Sequence, residues 1–417
     1  MKVIFLLNDL QLSGGVGVVI QHARRLSAID GWDVTLALVR EEDAPSWVGY
    51  DELPHLHVCS REQALAGHYD VAVATWWETV FTLFEVSADR RVFFVQSLED
   101  RFYEDGEAER LGAALVLDLP VAFVTEARWI ADTIAALRPE AQCYLVRNGI
   151  DKQVFGPVAS LPETQEGLLR VLIEGSPSAW FKGVHTAIVA AAAMREPHHV
   201  TVVTGERRAL GDVVADEVVG PLSHEEMASL YGRTDVLLKL SIVEGMFGPP
   251  LEAFHCGATC VVTPVTGHDE YVVHGWNGLL TDWDDVLGTA RALDLLARDS
   301  DLLRFLRANA LETARAWPSW EQSSQFMAAA LLAIRRDPPP LAAPAAASLL
   351  ADLRAGIEIH GKLLRERVVF YKQARRLERI RRLPLVRLLL RLRNSRSLKL
   401  VARPLRPLYR RARRSLA

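Results

Sequence analysis

The sequence predicts an α/β protein with two doubly wound parallel sheets. Short apolar runs such as Val3–Leu7 and Val171–Glu174 alternate with helical patterns over the first 330 residues. Such runs are typical of strands buried on both faces, and their alternation with helices is typical of parallel sheets. The runs are numerous enough for two sheets, and a chain of 417 residues exceeds one ordinary core.

Ten runs are predicted as strands, and most of them are followed by a helical pattern. They are Val3–Leu7, Val34–Val39, Val71–Ala74, Val92–Val95, Val121–Val124, Leu145–Val146, Val171–Glu174, Val200–Thr204, Val236–Lys239 and Thr259–Thr263. Residues 152–168 are rich in glycine, proline and polar residues, which is typical of a linker. We therefore expect an N-terminal domain over 1–152 and a C-terminal domain over 153–335.

The chain beyond residue 335 is expected to differ from the two α/β domains. Residues 336–347 are rich in proline and alanine, as extended linkers are, and 348–382 have the pattern of one long helix. Residues 351–417 carry 21 Lys and Arg against 4 Asp and Glu, whereas residues 1–350 carry 27 against 48. The basic tail, 348–417, and the acidic body therefore need separate explanations.

The last segment, 383–417, mixes leucine with arginine. This composition suits an anionic membrane surface, with leucines entering the interface. Nucleic acid is not expected as a partner, because Tyr409 is the only aromatic residue in the segment. Docking on the acidic body or on a partner subunit is the alternative, and 348–382 could form a homodimer. No apolar run is long enough to span a membrane, so we expect a cytoplasmic protein at the inner face of the cell membrane.

Four scattered cysteines predict neither a disulfide framework nor a zinc site. Cys256 and Cys260 are four residues apart but lack a second pair of ligands. The N-terminal apolar run, Val3–Leu7, is too short for a signal peptide. A reducing cytoplasm is the simplest compartment, and we expect neither a metal nor a cofactor.

Two strand–helix turns have features of phosphate-binding sites. Gly14 and Gly15 follow the first strand, and a helix N-terminus after a glycine turn favours phosphate. Lys182 follows the strand that ends at Glu174 and precedes a helix, where the helix dipole disfavours a cation. We therefore favour a ligand-binding role for Lys182. The alternatives are a tight turn at the glycines and a solvated lysine.

Glu244 and Glu252 lie on either side of a Gly-Pro-Pro turn. The first is expected at the carboxyl end of a strand, and the second about two turns into the next helix. Carboxylates at that edge can bind sugar or ribose hydroxyls, or can act as acid and base on a glycosidic bond. The alternative is two exposed glutamates brought there by chance.

The segment "EGMFGPPLEAFHCG", which carries both glutamates, resembles the hallmark of retaining family-4 glycosyltransferases with the GT-B fold. Four other stretches resemble that family in order and spacing. They are "VRNGIDKQVF" at 146–155, "GPLSHEEMASLYGRTDVLLKLS" at 220–241, "TGHDEYVVHGWNGLL" at 266–280 and "PSWEQSSQF" at 318–326. The resemblance covers roughly residues 1–335. It implies two Rossmann-like domains facing a cleft, with the last helix crossing back to the first domain.

The resemblance implies roles for individual residues. Glu244 would lie by the donor sugar, Glu252 would bind the nucleotide ribose, and Lys182 would bind the diphosphate. Glu244 and Lys182 are the expected catalytic residues. The other expected donor-side positions are Gly14, Gly15, Gly175, Ser176, Gly245, Met246, Phe247 and Gly248. The implied reaction moves a sugar from a nucleotide diphosphate with retention at the anomeric carbon and without a metal.

One position departs from the family pattern. The family has an arginine six residues before the lysine, and this sequence has Ser176 there. Helix N-termini and Lys182 could be sufficient, Arg207 or Arg208 could replace the charge, or the activity could be lost. Losing one such group typically lowers a rate by about two to three orders of magnitude.

The segment "FFVQSLEDRFYEDG" at 93–106 resembles part of bacterial rhamnan-type rhamnosyltransferases. On that basis dTDP-rhamnose is the first expected donor, and a glycan or lipid-linked molecule is the expected acceptor. The predicted acceptor-side residues are Gln96, Glu99, Arg101 and Tyr103, with a plain polar loop as the alternative. Trp76 and Trp77 could stack on sugar rings, although core packing is expected for at least one. The alternative function is an inactive nucleotide-sugar or glycan-binding scaffold tethered to a membrane.

Overall fold

The computed structural model describes residues 1–11, 13–40, 56–104, 106–156, 168–211, 215–337 and 343–382. The basic segment 383–417 and residues 338–342 of the expected linker lie outside the described residues. The membrane prediction for that segment therefore stays a prediction. In the part of the chain that the structure describes, no helix combines the length and apolar character needed to cross a membrane.

The first sheet has seven strands, all parallel. They are β1 (Lys2–Leu7), β2 (Asp33–Leu38), β3 (His57–Ser60), β4 (His68–Ala74), β5 (Ser87–Val95), β6 (Ala122–Thr125) and β7 (Cys143–Leu145). Their order is β3-β2-β1-β4-β5-β6-β7. The α-helices of this part are α1 (Gly14–Ser27), α2 (Arg61–Leu65), α3 (Thr79–Leu83), α4 (Ala108–Leu115) and α5 (Arg128–Leu137).

The second sheet has six strands, also all parallel. They are β8 (Leu169–Glu174), β9 (His198–Val203), β10 (Glu217–Val219), β11 (Val236–Lys239), β12 (Thr259–Val262) and β13 (Leu279–Leu280). Their order is β10-β9-β8-β11-β12-β13. The α-helices here are α6 (Val184–Ala192), α7 (His224–Gly232), α8 (Gly248–His255), α9 (Val286–Arg298) and α10 (Ser300–Ala316).

Each sheet has one point where the strand order reverses direction. In the first sheet it lies between β1 and β4, and in the second between β8 and β11. Open parallel sheets bind ligands at such switch points, beyond the carboxyl ends of the strands. The connections after β1, β8 and β11 contain the glycine and glutamate motifs of the sequence, so the topology places them at the two switch points.

Helix α11 (Trp320–Arg336) follows the second sheet but packs on the first. Met327, Leu331 and Ile334 of this helix belong to the apolar core on one face of the first sheet. Its first turn is also held by an ion pair of 2.9 Å between the Arg25 guanidinium and Glu321 Oε1. Burying this apolar stripe ties the C-terminal end of the second domain to the first.

The predicted fold class, two doubly wound parallel sheets, is confirmed. The sequence analysis missed β3, β10 and β13, which have four, three and two residues. Each of the three contains only two consecutive apolar residues, which is too few to stand out as an apolar run. The last helix, α12 (Ala343–Arg382), begins five residues before the predicted start at 348.

Gly149 lies against the start of α11, where there is no room for a side chain. A Cβ atom at this position would lie 2.3 Å from the Trp320 backbone nitrogen and 2.4 Å from the Ser319 carbonyl carbon. Because backbone atoms cannot rotate away, Gly149→Ala must displace the helix N-terminus. We expect a loss of about 1–3 kcal/mol in the free energy of unfolding, measured in urea. Gly156→Ala is the control, since its Cβ would come no closer than 3.7 Å to any atom of the described residues. Equal stability of both variants would contradict the expectation.

Candidate functional site

Four charged side chains meet at the switch point of the second sheet. Glu174 is the last residue of β8 and Lys239 the last of β11, and the two strands are paired neighbours. The Lys239 ammonium lies 2.8 Å from Glu174 Oε2 and 3.9 Å from Glu244 Oε1. The Lys182 ammonium donates to both oxygens of the Glu244 carboxylate, at 2.9 and 2.8 Å. Two lysines and two glutamates therefore form one alternating network.

Lys182 is brought to the site by a short turn before α6. It ends a 3-10 turn at Trp180–Lys182, and Gly183 follows in the left-handed conformation with φ of +63°. A Cβ on Gly183 would lie 2.0 Å from the Leu240 carbonyl oxygen. Only glycine meets both demands, so this residue lets Lys182 approach the edge of β11 closely.

Burial and the neighbouring charges shift the titration of this network. Burial acts to lower the pKa of Lys239, but the carboxylates of Glu174 and Glu244 outweigh it and the pKa is raised. Burial likewise opposes the effect of Lys239 on Glu174, whose pKa is lowered overall. Burial and the nearby Glu174 charge raise the pKa of Glu252 on α8 to about 8. The raised pKa of Glu252 favours its protonated form near neutral pH.

The loop that begins α8 lies directly against the first domain. The Gly245 carbonyl accepts a hydrogen bond of 2.9 Å from the Trp129 indole, and the Met246 amide donates to Glu126 Oε1 at 2.9 Å. Ser97 Oγ donates to the Glu244 carbonyl at 3.4 Å. The glycine loop, 245–248, is therefore held by side chains of the first domain. The Phe247 side chain is fully buried in the core, so this predicted site residue offers only its backbone.

Glu126 is a buried carboxyl at this contact that the sequence analysis did not single out. It follows β6 and also accepts a hydrogen bond of 2.7 Å from Asn148 Nδ2. Burial raises its pKa to about 8, although the two hydrogen bonds act in the opposite direction. The available signal was an acidic residue directly after a buried strand, at the carboxyl edge of the sheet.

Glu126→Gln is expected to change the pH dependence of stability. Between pH 4.5 and about 8 the folded carboxyl keeps a proton that the unfolded chain has lost. Folding must then take up this proton, so Glu126 lowers stability progressively as pH rises, by at most about 1.4 kcal/mol per pH unit. The variant, measured by thermal unfolding, should gain several degrees on wild type between pH 5 and pH 8. Exposed Glu312→Gln is the control, and a constant difference for Glu126→Gln would contradict this assignment.

The first domain contributes the glycine turn after β1. Helix α1 begins at Gly14 and is capped by Ser13, whose Oγ accepts from the Val16 amide. Gly15 packs beside Gln96, since a Cβ on Gly15 would lie 3.3 Å from Gln96 Oε1. That oxygen is buried and has no hydrogen-bond partner among the described residues. The helix start and the Gln96 amide therefore lie together at the switch point.

The other predicted acceptor-side residues have different surroundings. Glu99 is only 4 % exposed and accepts a hydrogen bond from the Trp77 amide at 2.6 Å, and burial raises its pKa well above the usual value. Trp77 is itself buried and donates from its indole to the Tyr103 hydroxyl. Arg101 instead reaches the second domain and donates to Thr266 Oγ1 at 2.7 Å. The structure thus places Gln96 and Arg101 where the domains meet, and Glu99 in the interior of the first domain.

Ser176 has an acidic neighbour at the position where a cation was expected. Its Oγ lies 3.0 Å from both carboxylate oxygens of Glu206, and Gly175 before it has φ of +150°. Arg207 donates to the Val218 carbonyl, and the side chain of Arg208 is exposed. That either arginine supplies the missing charge stays a prediction. Across the described ranges, no group of three or more His, Cys, Asp or Glu side chains could hold a metal ion.

Two parallel sheets, joined by α11 and with both switch points at their meeting edges, define the GT-B class of fold. Residues 169–299 match the family model described as "Glycosyl transferases group 1". This segment contains Lys182, Lys239 and both glutamates of the motif. The second domain is therefore similar to the group 1 glycosyl transferases over most of its length.

Two solved structures and one curated protein are also similar to this chain. Sucrose-phosphate synthase from Thermosynechococcus elongatus superposes with a TM-score of 0.63 and 17% identity, over 79% of this chain and 97% of that one. Anabaena Alr3699/HepE in complex with UDP-glucose gives 0.63 and 18%, over 80% and 100%. A glycogen synthase of Mycobacterium tuberculosis is 30% identical over 165 residues, 37% of this chain. That match spans 39% of the synthase's own length.

Proposed function

We propose that this protein is a glycosyltransferase that uses a nucleotide-diphosphate sugar. The observation that carries the proposal is the Lys182–Glu244 contact beside the glycine loop, in the segment that matches the group 1 family. A cation at a switch point suits the diphosphate, and backbone amides before α8 suit its oxygens. The UDP-glucose bound in the similar Anabaena structure supports the same class of donor.

The proposed reaction keeps the anomeric configuration of the donor sugar. The bond between the anomeric carbon and the phosphate oxygen breaks, and the acceptor hydroxyl oxygen bonds to the same face. The hydroxyl proton passes to a phosphate oxygen of the leaving nucleoside diphosphate. The protein contributes orientation and stabilisation of the developing charge, with Lys182 on the diphosphate and Glu244 near the sugar.

The sugar and its destination are narrower proposals. We take dTDP-rhamnose as the first donor to test and a glycan or lipid-linked molecule as the acceptor, in bacterial polysaccharide assembly. The sequence similarity around Gln96 supports rhamnose. The basic composition of 383–417 supports an enzyme that works at the inner face of the membrane, where lipid-linked acceptors are found.

A catalytically inactive scaffold that binds nucleotide sugar is the second candidate. The specific observation in its favour is the contact between Ser176 and Glu206. A carboxylate beside the position of the missing arginine repels a diphosphate and does not stabilise its departure. Under this candidate the cleft binds a donor but does not cleave it.

The test is binding and slow hydrolysis of a panel containing dTDP-rhamnose, UDP-hexoses and GDP-mannose, with EDTA present. Binding is measured by calorimetry and the released sugar by NMR. One donor bound at micromolar affinity, whose sugar is released first in the donor's own anomeric form, supports the transferase. Binding without release supports the scaffold, and no binding by a folded protein contradicts both.

A further inference from the structure

Lys239 is a buried cation that has no role in the reaction proposed above. It ends β11, whose other three residues are apolar, and only 2 % of it is exposed. A buried ammonium is costly unless it is paired, so its partners have to account for its presence. Those partners are the Glu174 carboxylate, at 2.8 Å, the Glu174 carbonyl oxygen, at 3.3 Å, and the Glu244 carboxylate, at 3.9 Å.

Glu174 is the nearer partner of Lys239, but it is the less buried of the two glutamates. Its side chain is 28 % exposed, so water reaches part of it. Glu244 is different, because only 8 % of it is exposed. A carboxylate buried to that extent needs a protein partner to remain ionised at low cost.

Lys182 is the nearer partner of Glu244, and this creates a conflict. Both carboxylate oxygens of Glu244 accept from the Lys182 ammonium in the structure. The same ammonium is the group proposed to bind the diphosphate. If it turns to the diphosphate, Glu244 loses its closest counter-charge, and water cannot easily replace it.

We propose that Lys239 is a positioning residue that holds the Glu244 carboxylate when Lys182 moves to the diphosphate. This inference rests on the proposed function. Lys239 takes over the charge of Glu244, so that Lys182 is released and Glu244 stays beside the sugar. With Ser176 in place of an arginine, Lys182 is the cation left for the diphosphate in this turn, which makes its release important.

The experiment compares variants that separate this role from simple charge balance. Lys239→Met leaves Glu174 and Glu244 sharing one lysine, and is expected to lose stability as well as affinity. The double variant Glu174→Gln with Lys239→Met restores the charge balance and should unfold near the wild-type temperature. Lys239→Arg keeps the cation and should bind within about threefold of wild type. The probes are UDP, GDP, dTDP and ADP, and the one that wild type binds best is used for every variant.

In the double variant Lys182 stays paired with Glu244, so we expect the dissociation constant for that nucleotide to rise about tenfold. Adding Glu244→Gln to this background frees Lys182 and should recover the affinity. Because Glu244→Gln also changes the net charge, its effect is compared with the same substitution in wild type. A recovery about tenfold larger in the background lacking Lys239 supports the inference, as in a double-mutant cycle.

The outcomes also separate this inference from the proposed function. If wild type binds none of the four nucleotides, both are overturned. If wild type binds one and the stable double variant binds it equally well, Lys239 only balances Glu174 and this inference alone is overturned. The same conclusion follows if Glu244→Gln changes the affinity equally in both backgrounds.

Discussion

Lys182→Met is expected to lower turnover of the donor by about two to three orders of magnitude. The substitution removes the ammonium that is 2.8 Å from Glu244 and is proposed to stabilise the leaving diphosphate. Methionine keeps much of the length of the side chain without its charge. The fold should persist, because Lys239 remains within 3.9 Å of Glu244 as a counter-charge. The measurement is the rate of donor hydrolysis at saturating donor.

The matched control is Lys152→Met. This lysine donates to the Arg315 carbonyl in the second domain's periphery and takes no part in the site network. Its removal should change turnover by no more than a factor of about three. If the folded Lys182→Met variant kept wild-type turnover, Lys182 would have no role in the reaction. The diphosphate would then have to be stabilised by helix N-termini and backbone amides.

The positions of Lys182 and the glutamates could be predicted because they depend on local sequence. Glu244 lies in the connection that follows a recognisable apolar strand, and Glu252 lies on a helix that the Gly-Pro-Pro turn begins. Parallel strands with helical connections fix which edge of the sheet these residues occupy. The location of Lys182, Glu244 and Glu252 beyond the carboxyl ends of the central strands could therefore be predicted without coordinates.

Glu126 and Lys239 could not be assigned in the same way, because their roles depend on packing between distant segments. The Glu126 carboxyl is 120 residues from the Met246 amide that it accepts from, and Lys239 is 65 residues from Glu174. In the sequence alone, a lysine within an apolar strand only interrupts the pattern of apolar residues. Only the pairing of β8 with β11 shows that a carboxylate is opposite it. Glu99 was expected on the acceptor side or in a plain polar loop. Its carboxylate instead turns inward and accepts a hydrogen bond from the Trp77 amide.

Gly245→Ala is expected to lower turnover by at least about a hundredfold, because it separates the glycine loop from the first domain. A Cβ at this position would lie 1.8 Å from the Gln96 carbonyl oxygen and 2.9 Å from Glu126 Oε1. The first of these is a backbone atom and cannot rotate aside, so the loop or the edge of β5 must shift by an ångström or more. A displacement of about 1 Å in a reacting geometry is enough for a loss of that size.

The control for Gly245→Ala is Gly232→Ala, which tests whether the loss of turnover comes from the steric contact at Gly245. A Cβ on Gly232 would have no atom within 4 Å in the part of the chain that the structure describes, so this variant should keep wild-type turnover. The Gly245 variant should also extend the pH dependence caused by Glu126 to higher pH, since the hydrogen bond from the Met246 amide holds the pKa of that carboxyl down and would be lost. Full turnover in Gly245→Ala would mean that the loop leaves Gln96 during catalysis. The domain contact seen in this structure would then belong to a state outside the reaction, and the positions of Glu244 and Lys182 in the reacting state would follow from the second domain alone.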